Sequence, residues 1–180
     1  MPEDTLLQKA GNGLMFNISW LAIVSTESLL IAPLVVIAHV TIHQLWIGRG
    51  SRELTFIAGV SLAGLLLDQI QFALGLFTVN GQRALAPLWL SCLWPVLATT
   101  LNHAFAGLQR MPTVAAILGG IGGVGSYYAG TRMSSVDFGD PVYGLAIVGV
   151  LWVVLFPVMA ALAKMWFEED EENGGEVHLA

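Results

Sequence analysis

Four side chains in apolar surroundings have the chemistry to do something. His39 and His43 are four residues apart, so they project from one helix face. His103 closes a different apolar stretch. Imidazoles gathered in one layer can bind a transition metal or relay protons. The competing reading is structural, with His43 and His103 reaching headgroups and His39 hydrogen-bonded between helices. Asp68 lies past the middle of its own apolar stretch, where a carboxylate costs about 2.5–3.5 kcal/mol on insertion scales. It must therefore face a protein interior, either as a proton- or substrate-binding acid or as a hydrogen-bond node between helices. Gln71, at i+3, can help to hold it.

The 180-residue chain that positions these groups is 56% hydrophobic and 11% charged. A soluble domain carries about 25% charged residues, so water cannot be the solvent of this surface. The fold expected is all-α, a polytopic transmembrane helix bundle of about six spans. A polar segment (1–13) precedes a bundle (14–167), and an acidic tail (168–180) is expected to be disordered. The formal net charge of −6 reflects that tail, where Glu168, Glu169, Asp170, Glu171, Glu172 and Glu176 cluster. A neutral body with an acidic tail excludes nucleic acid as a partner. The lone Cys92 excludes an intrachain disulfide. The N-terminus lacks a basic region leading into a short apolar core, so no removable signal peptide is expected.

Leu14 to Ile47 would form a helix about 50 Å long, against a hydrocarbon core of about 30 Å. A turn near Glu27 divides it into spans of roughly 14–26 and 29–47. The third span is expected over 54–79, the fourth over 87–105, the fifth over 112–130 and the sixth over 142–163, with a loop from Thr131 to Asp140. With six spans, Lys9, Arg49, Arg52, Arg110 and Lys164 share one side, and Arg83 and Arg132 share the other. The positive-inside rule then puts both termini in the cytoplasm. On that topology His43 and His103 sit about 5–6 Å deep and His39 about 12 Å deep at the cytoplasmic end. All three are candidate metal ligands. Asn102 points about 100° from His103 and is a separate polar candidate.

Within Pro87–Gly130, Trp89 and Trp94 are read first as interface anchors, and Pro95 as a kink. Gly120 to Gly125 matches G-x-G-x-x-G, but no strand or βαβ unit precedes it, so it is not a nucleotide motif. Gly119 and Gly123 form a small-residue ridge, and Gly122, Ser126 and Gly130 a second. Both are expected to pack helices closely. Tyr127 is placed at the outer interface or turned inward. No Ser-His-Asp, Walker or Cys-x-x-Cys pattern is present, so no catalytic residue or cofactor is assigned.

The string Pro87-Leu-Trp89, Leu93-Trp94, Ala98-Thr99-Thr100-Leu101-Asn102-His103, Gly119-Gly120, Gly122-Gly123, Ser126-Tyr127 and Ala129-Gly130, with Asn17, Trp20 and Asp68, resembles a family of small bacterial inner-membrane proteins. That family is defined by a domain of unknown function (two-eight-seven-eight). The family pattern has proline where this chain has Val124. The resemblance implies no catalytic residues. It implies a setting among fatty-acid-modifying genes of the cyclopropane-synthase type. The function expected is therefore an accessory or binding component in membrane-lipid modification, with membrane lipids and a lipid-modifying enzyme as partners. The alternatives from the residues are a small transporter or proton-coupled carrier built on Asp68, and an intramembrane metalloenzyme built on the histidines.

Overall fold

A computed structural model describes residues 4–176, with side chains as far as Glu168. The chain is largely helical. Its helices are α1 (Leu6–Thr26), α2 (Ile31–Trp46), α3 (Ser51–Ala73), α4 (Leu88–Ser91), α5 (Leu93–Ala98), α6 (Pro112–Met133) and α7 (Pro141–Glu176). A 3-10 turn spans Ala106–Arg110, and two short strands, β1 (Phe77–Val79) and β2 (Val136–Phe138), complete the element order.

Local chemistry sets the boundaries. The Thr5 hydroxyl accepts from the Gln8 N–H, and the Gln8 side chain accepts from the Thr5 N–H, a reciprocal cap that starts α1. Glu27 takes the left-handed conformation (φ 48°) and ends α1, while the Ser28 hydroxyl accepts from the Leu30 and Ile31 N–H groups that open α2. The long apolar stretch 14–47 is thus divided at Glu27. The first two helices are antiparallel partners.

Three expected spans change shape. The third stops at Ala73 rather than Val79, because the chain turns through Gly75 (φ 75°) and leaves as β1. The Thr131–Asp140 segment is not all loop. α6 runs to Met133, and β2 pairs antiparallel with β1 in the register Phe77↔Phe138, Thr78↔Asp137, Val79↔Val136. Residues 87–105 are not one helix. Two short helices meet at Cys92, and turns follow from Thr99 to Phe105. Pro95 lacks an N–H, and the Thr99 and Thr100 hydroxyls bond back to the carbonyls of Val96 (2.8 Å) and Leu97 (2.6 Å), so side chains compete for the helical ladder here. α7 continues to Glu176, into the acidic segment expected to be a disordered tail. Its last residues, 177–180, lie outside the described residues.

Among the described residues, two helices are long and apolar enough to cross a membrane, α3 and the Pro141–Glu168 part of α7. Ile31–Trp46 and Leu88–Ala98 are apolar but shorter. The core runs through the bundle as Ile23, Phe56, Phe72, Phe77, Trp94, Leu101, Trp152 and Phe156. Outward faces stay apolar too: Leu14, Ile18, Leu34, Ile37, Leu62, Ile121 and Val150 are all more than half exposed.

The chain's turns gather at two ends. At one end, Glu27 accepts from the Ser135 N–H (2.9 Å) and hydroxyl, next to the β-ribbon. At the other, Arg52 Nε donates to the Trp166 carbonyl (2.9 Å), and Arg49 Nη2 donates to the Asn102 carbonyl (3.3 Å).

Candidate functional site

Two buried polar constellations occupy different levels of the bundle. The first joins α1, α2, α3 and the turns after α5. His43, Glu53 and His103 are fully or almost fully buried, with one ligand atom from each lying within 4.8 Å of the others. His103 Nε2 is 2.8 Å from Glu53 Oε1, and His43 Nε2 is 3.2 Å from the same oxygen. The shorter contact is a hydrogen bond. The longer one is off-line, and His43 Nε2 has no hydrogen-bond partner. The two rings meet edge to face, with centroids 4.8 Å apart.

The outer atoms of these groups are held. His103 Nδ1 is 2.7 Å from Asp4 Oδ2, and Arg49 Nη2 lies 3.7 Å from that oxygen. Glu53 Oε2 accepts from the Arg49 backbone N–H (2.7 Å) and from Gln44 (3.4 Å). Asn12 Nδ2 is 3.3 Å from His43 Nδ1, while its Oδ1 accepts from the Ala104 N–H.

His39 does not join this group. Its Nδ1 meets Ser19 Oγ at 2.8 Å and its Nε2 meets Thr99 Oγ1 at 2.9 Å. The Thr99 hydroxyl already donates to the Val96 carbonyl, so it accepts from His39 Nε2–H, and His39 Nδ1 accepts from Ser19. Both nitrogens are used, and His39 is a bridge between α1, α2 and α5. The expected ligand set of His39, His43 and His103 is corrected: Glu53 stands in the place given to His39. Asn102 also stays outside. Its Oδ1 accepts from Gln109 (2.8 Å), and its Nδ2 is buried without a partner.

The second constellation surrounds Asp68 at a cavity of about 400 Å³. Ser91 Oγ and Trp94 Nε1 both donate to Asp68 Oδ2, at 3.1 and 2.9 Å. Oδ1 has no hydrogen bond among the described residues, and Asp68 lines the cavity. Gln71 does not hold the acid. Its Nε2 bonds the Leu67 carbonyl, and its Oε1 is buried without a partner. Tyr127 turns inward, stacks on Phe77 with centroids 5.4 Å apart, and lines the cavity. It also packs on Trp152 with centroids 6.3 Å apart, and neither Gln71 Oε1 nor Trp152 Nε1 has a hydrogen-bond partner among the described residues.

Trp89 and Trp94 are not interface anchors. Both are buried cavity walls, because Trp94 is drawn inward by Asp68 and stacks on Trp152 at 5.9 Å. The Trp94 ring fits only because position 64 has no Cβ. One added there would sit 1.9 Å from the ring. The two small-residue rows of α6 also part company. Gly119 and Gly123 press against Phe156 and Trp152 of α7, as a close-packing ridge should. Gly122 and Gly130 have nothing within 4 Å of an added Cβ, and with Ser126 they line the cavity. The packing role expected for that row is corrected, because the row faces a hollow instead of a neighbour.

The composition of that wall, with Trp89, Trp94, Asp68 and the α6 glycines around one space, matches the string that carries the family resemblance. The chain belongs to the family described as protein of unknown function DUF2878. Its model matches residues 9–158. The match includes Asn12, His43, Glu53, Asp68 and His103 and stops short of Trp166. No curated protein and no solved structure matches the chain.

Sequence reasoning missed Glu53, Asn12 and Asp4. Glu53 sits between Arg52 and Leu54, beside a Gly-Arg-Gly-Ser-Arg run, and reads there as part of a solvated loop. The available signal was that α3 has to start somewhere after Gly50, which makes Glu53 a first-turn acid at an inward-facing helix end.

Proposed function

We propose that this family member is a multi-pass membrane protein that holds one apolar, lipid-like molecule, as a binding component in membrane-lipid modification. The observation that carries this reading is the cavity. Its volume falls within the roughly 300–1,000 Å³ typical of small-molecule sites. Its walls are Phe16 and Trp20 of α1, Trp89 and Trp94, Tyr127 of α6, and Trp152 and Phe156 of α7, among others. Asp68 is the single charged lining residue among those described. Such a wall favours a hydrocarbon body, and the unused Asp68 oxygen favours a hydroxyl or ammonium that donates to it. Leu118 and Gly122, both exposed, lie on the α6 side of the lining, so a ligand enters from the lateral surface rather than from an end.

The membrane setting has independent support. Large apolar side chains stand exposed on α1, α2, α3, α6 and α7, which water does not tolerate over so much contiguous surface. The broken α4–α5 segment is covered by other helices and carries Val96, Thr99 and Leu101 in the core. Irregular backbone is acceptable at membrane depth only when protein covers it. Six passes with both termini on the cytoplasmic side of an inner membrane fit the grouping of turns at two ends and the bias of Lys and Arg toward the end that holds Arg49 and Arg52.

Mass spectrometry of protein purified in mild detergent tests the binding reading. The expected result is a co-purified apolar molecule in the wild type that is lost in Gly122→Phe, which fills the hollow. Equal recovery from Gly122→Phe, or none from the wild type, would sink it. Labelling of single cysteines placed at Gly50 and Gly81 in intact cells tests the topology, with opposite accessibility expected.

A further inference from the structure

The geometry points to a divalent transition-metal site at the opposite constellation, with His43 Nε2, His103 Nε2 and Glu53 Oε1 as ligands. Three observations lead there. First, the three donors come from three separate segments, α2, α3 and the turns after α5, yet converge within 4.8 Å in a fully buried spot. Ligands about 2.1 Å from a tetrahedral ion lie about 3.4 Å apart. The contacts of 2.8 and 3.2 Å to Glu53 Oε1 need only a small widening to reach that spacing. Second, His43 Nε2 is buried without a hydrogen bond although an acceptor is 3.2 Å away. A buried ring nitrogen left without a partner is a cost that an ion in the gap removes.

Third, each ligand is oriented from behind in the manner of a metal's outer shell. Asp4 Oδ2 sits on His103 Nδ1, which leaves Nε2 for the ion. The Arg49 N–H and Gln44 occupy Glu53 Oε2, which leaves Oε1. Asn12 faces His43 Nδ1. With Nε2 on a metal, His43 Nδ1 carries the proton and needs an acceptor. The Asn12 amide supplies it by turning over, and its present contacts to His43 and Ala104, both 3.3 Å, are long ones to give up. Two imidazoles and a carboxylate suit zinc or ferrous iron and disfavour calcium and magnesium. The site would clamp the N-terminal segment, α2, α3 and the α5 turns at one end of the bundle, independently of whatever occupies the cavity.

The test uses the full chain, purified in detergent from zinc- and iron-supplemented medium without a polyhistidine tag. Elemental analysis should find a stoichiometric ion in the wild type and in His39→Gln. It should find little in His43→Gln, His103→Gln or Glu53→Gln. After chelation, cobalt(II) should restore tetrahedral ligand-field bands and raise the thermal midpoint of the wild type but not of Glu53→Gln. Asn12→Ala, which removes only an orienting group, should weaken cobalt binding about 10–100-fold while keeping the bands. A wild type that carries no ion and gives no cobalt bands would overturn the proposal and leave a proton-bridged network. So would metal retained after His43→Gln. Where a ligand variant fails to fold, the cobalt titration of chelated wild type still decides.

Discussion

The two ends of this bundle bury acids in opposite ways. At one end Glu53 is surrounded: two histidines, a backbone N–H and Gln44 divide its two oxygens. At the other, Asp68 receives both of its hydrogen bonds on one oxygen and lines a hollow. The contrast teaches how to separate structure from receptivity in an apolar interior. A carboxylate enclosed by groups from several segments fastens them together, directly or through an ion that they share. A carboxylate half filled, at the wall of a hollow, is equipped for something that arrives from outside.

The contrast can be broken by substitution. The largest effect is expected from Glu53→Leu, which strands His43, His103 and the Arg49 N–H at once. Removing one partner from a buried ionic cluster costs about 3–5 kcal/mol, read as a fall in the thermal midpoint in detergent. A fall no larger than that of Asp68→Leu would erase the difference between the two ends. Gly64→Ala comes next. The new methyl meets the Trp94 ring, and overpacking of this kind costs about 1–3 kcal/mol. It should also disturb the cavity, seen as a shift in tryptophan fluorescence. Trp94→Phe removes one of the two donors to Asp68 while keeping an aromatic wall. The expected loss is about 1–2 kcal/mol, with ligand recovery altered more than stability. Gly122→Ala sharpens the comparison from the other side. Nothing stands within 4 Å of the added methyl, and helix propensity improves by up to about 1 kcal/mol. Its midpoint should therefore hold or rise, whereas Gly123→Ala, which meets Trp152, should fall.

Much of this architecture was legible because it rests on local rules. The division of 14–47 follows from length against bilayer thickness, and Glu27 and Ser28 supplied the polar interruption that marks where the turn falls. The inward position of Asp68 follows from the cost of burying a charge. What was not legible depends on partners distant in sequence. The register of β1 with β2 joins residues on either side of α6, and no alternation in three-residue strands betrays it. The glycine rows of α6 look identical as patterns. Only the position of α7 decides that Gly119 and Gly123 have a neighbour while Gly122 and Gly130 have none. His39 and His43 share a helix face, but their separation along the axis brings one to hydroxyls and the other to Glu53. Depth counting put them in a single layer because it could not see which side chains the neighbouring helices present. Trp94 was read as an anchor for the same reason, since its indole N–H has a buried acceptor only once α3 lies beside it.

The clasp between Glu27 and Ser135 joins positions 108 residues apart. During synthesis the α1–α2 hairpin is made long before its fastening exists. Until α6 has emerged, the Glu27 carboxylate has no Ser135 to bond, and the hairpin has no tie to the ribbon. A segment made much later thus completes the first. A truncation between Trp46 and Ser135 should leave a hairpin with no tie to the ribbon, and therefore a target for cellular quality control.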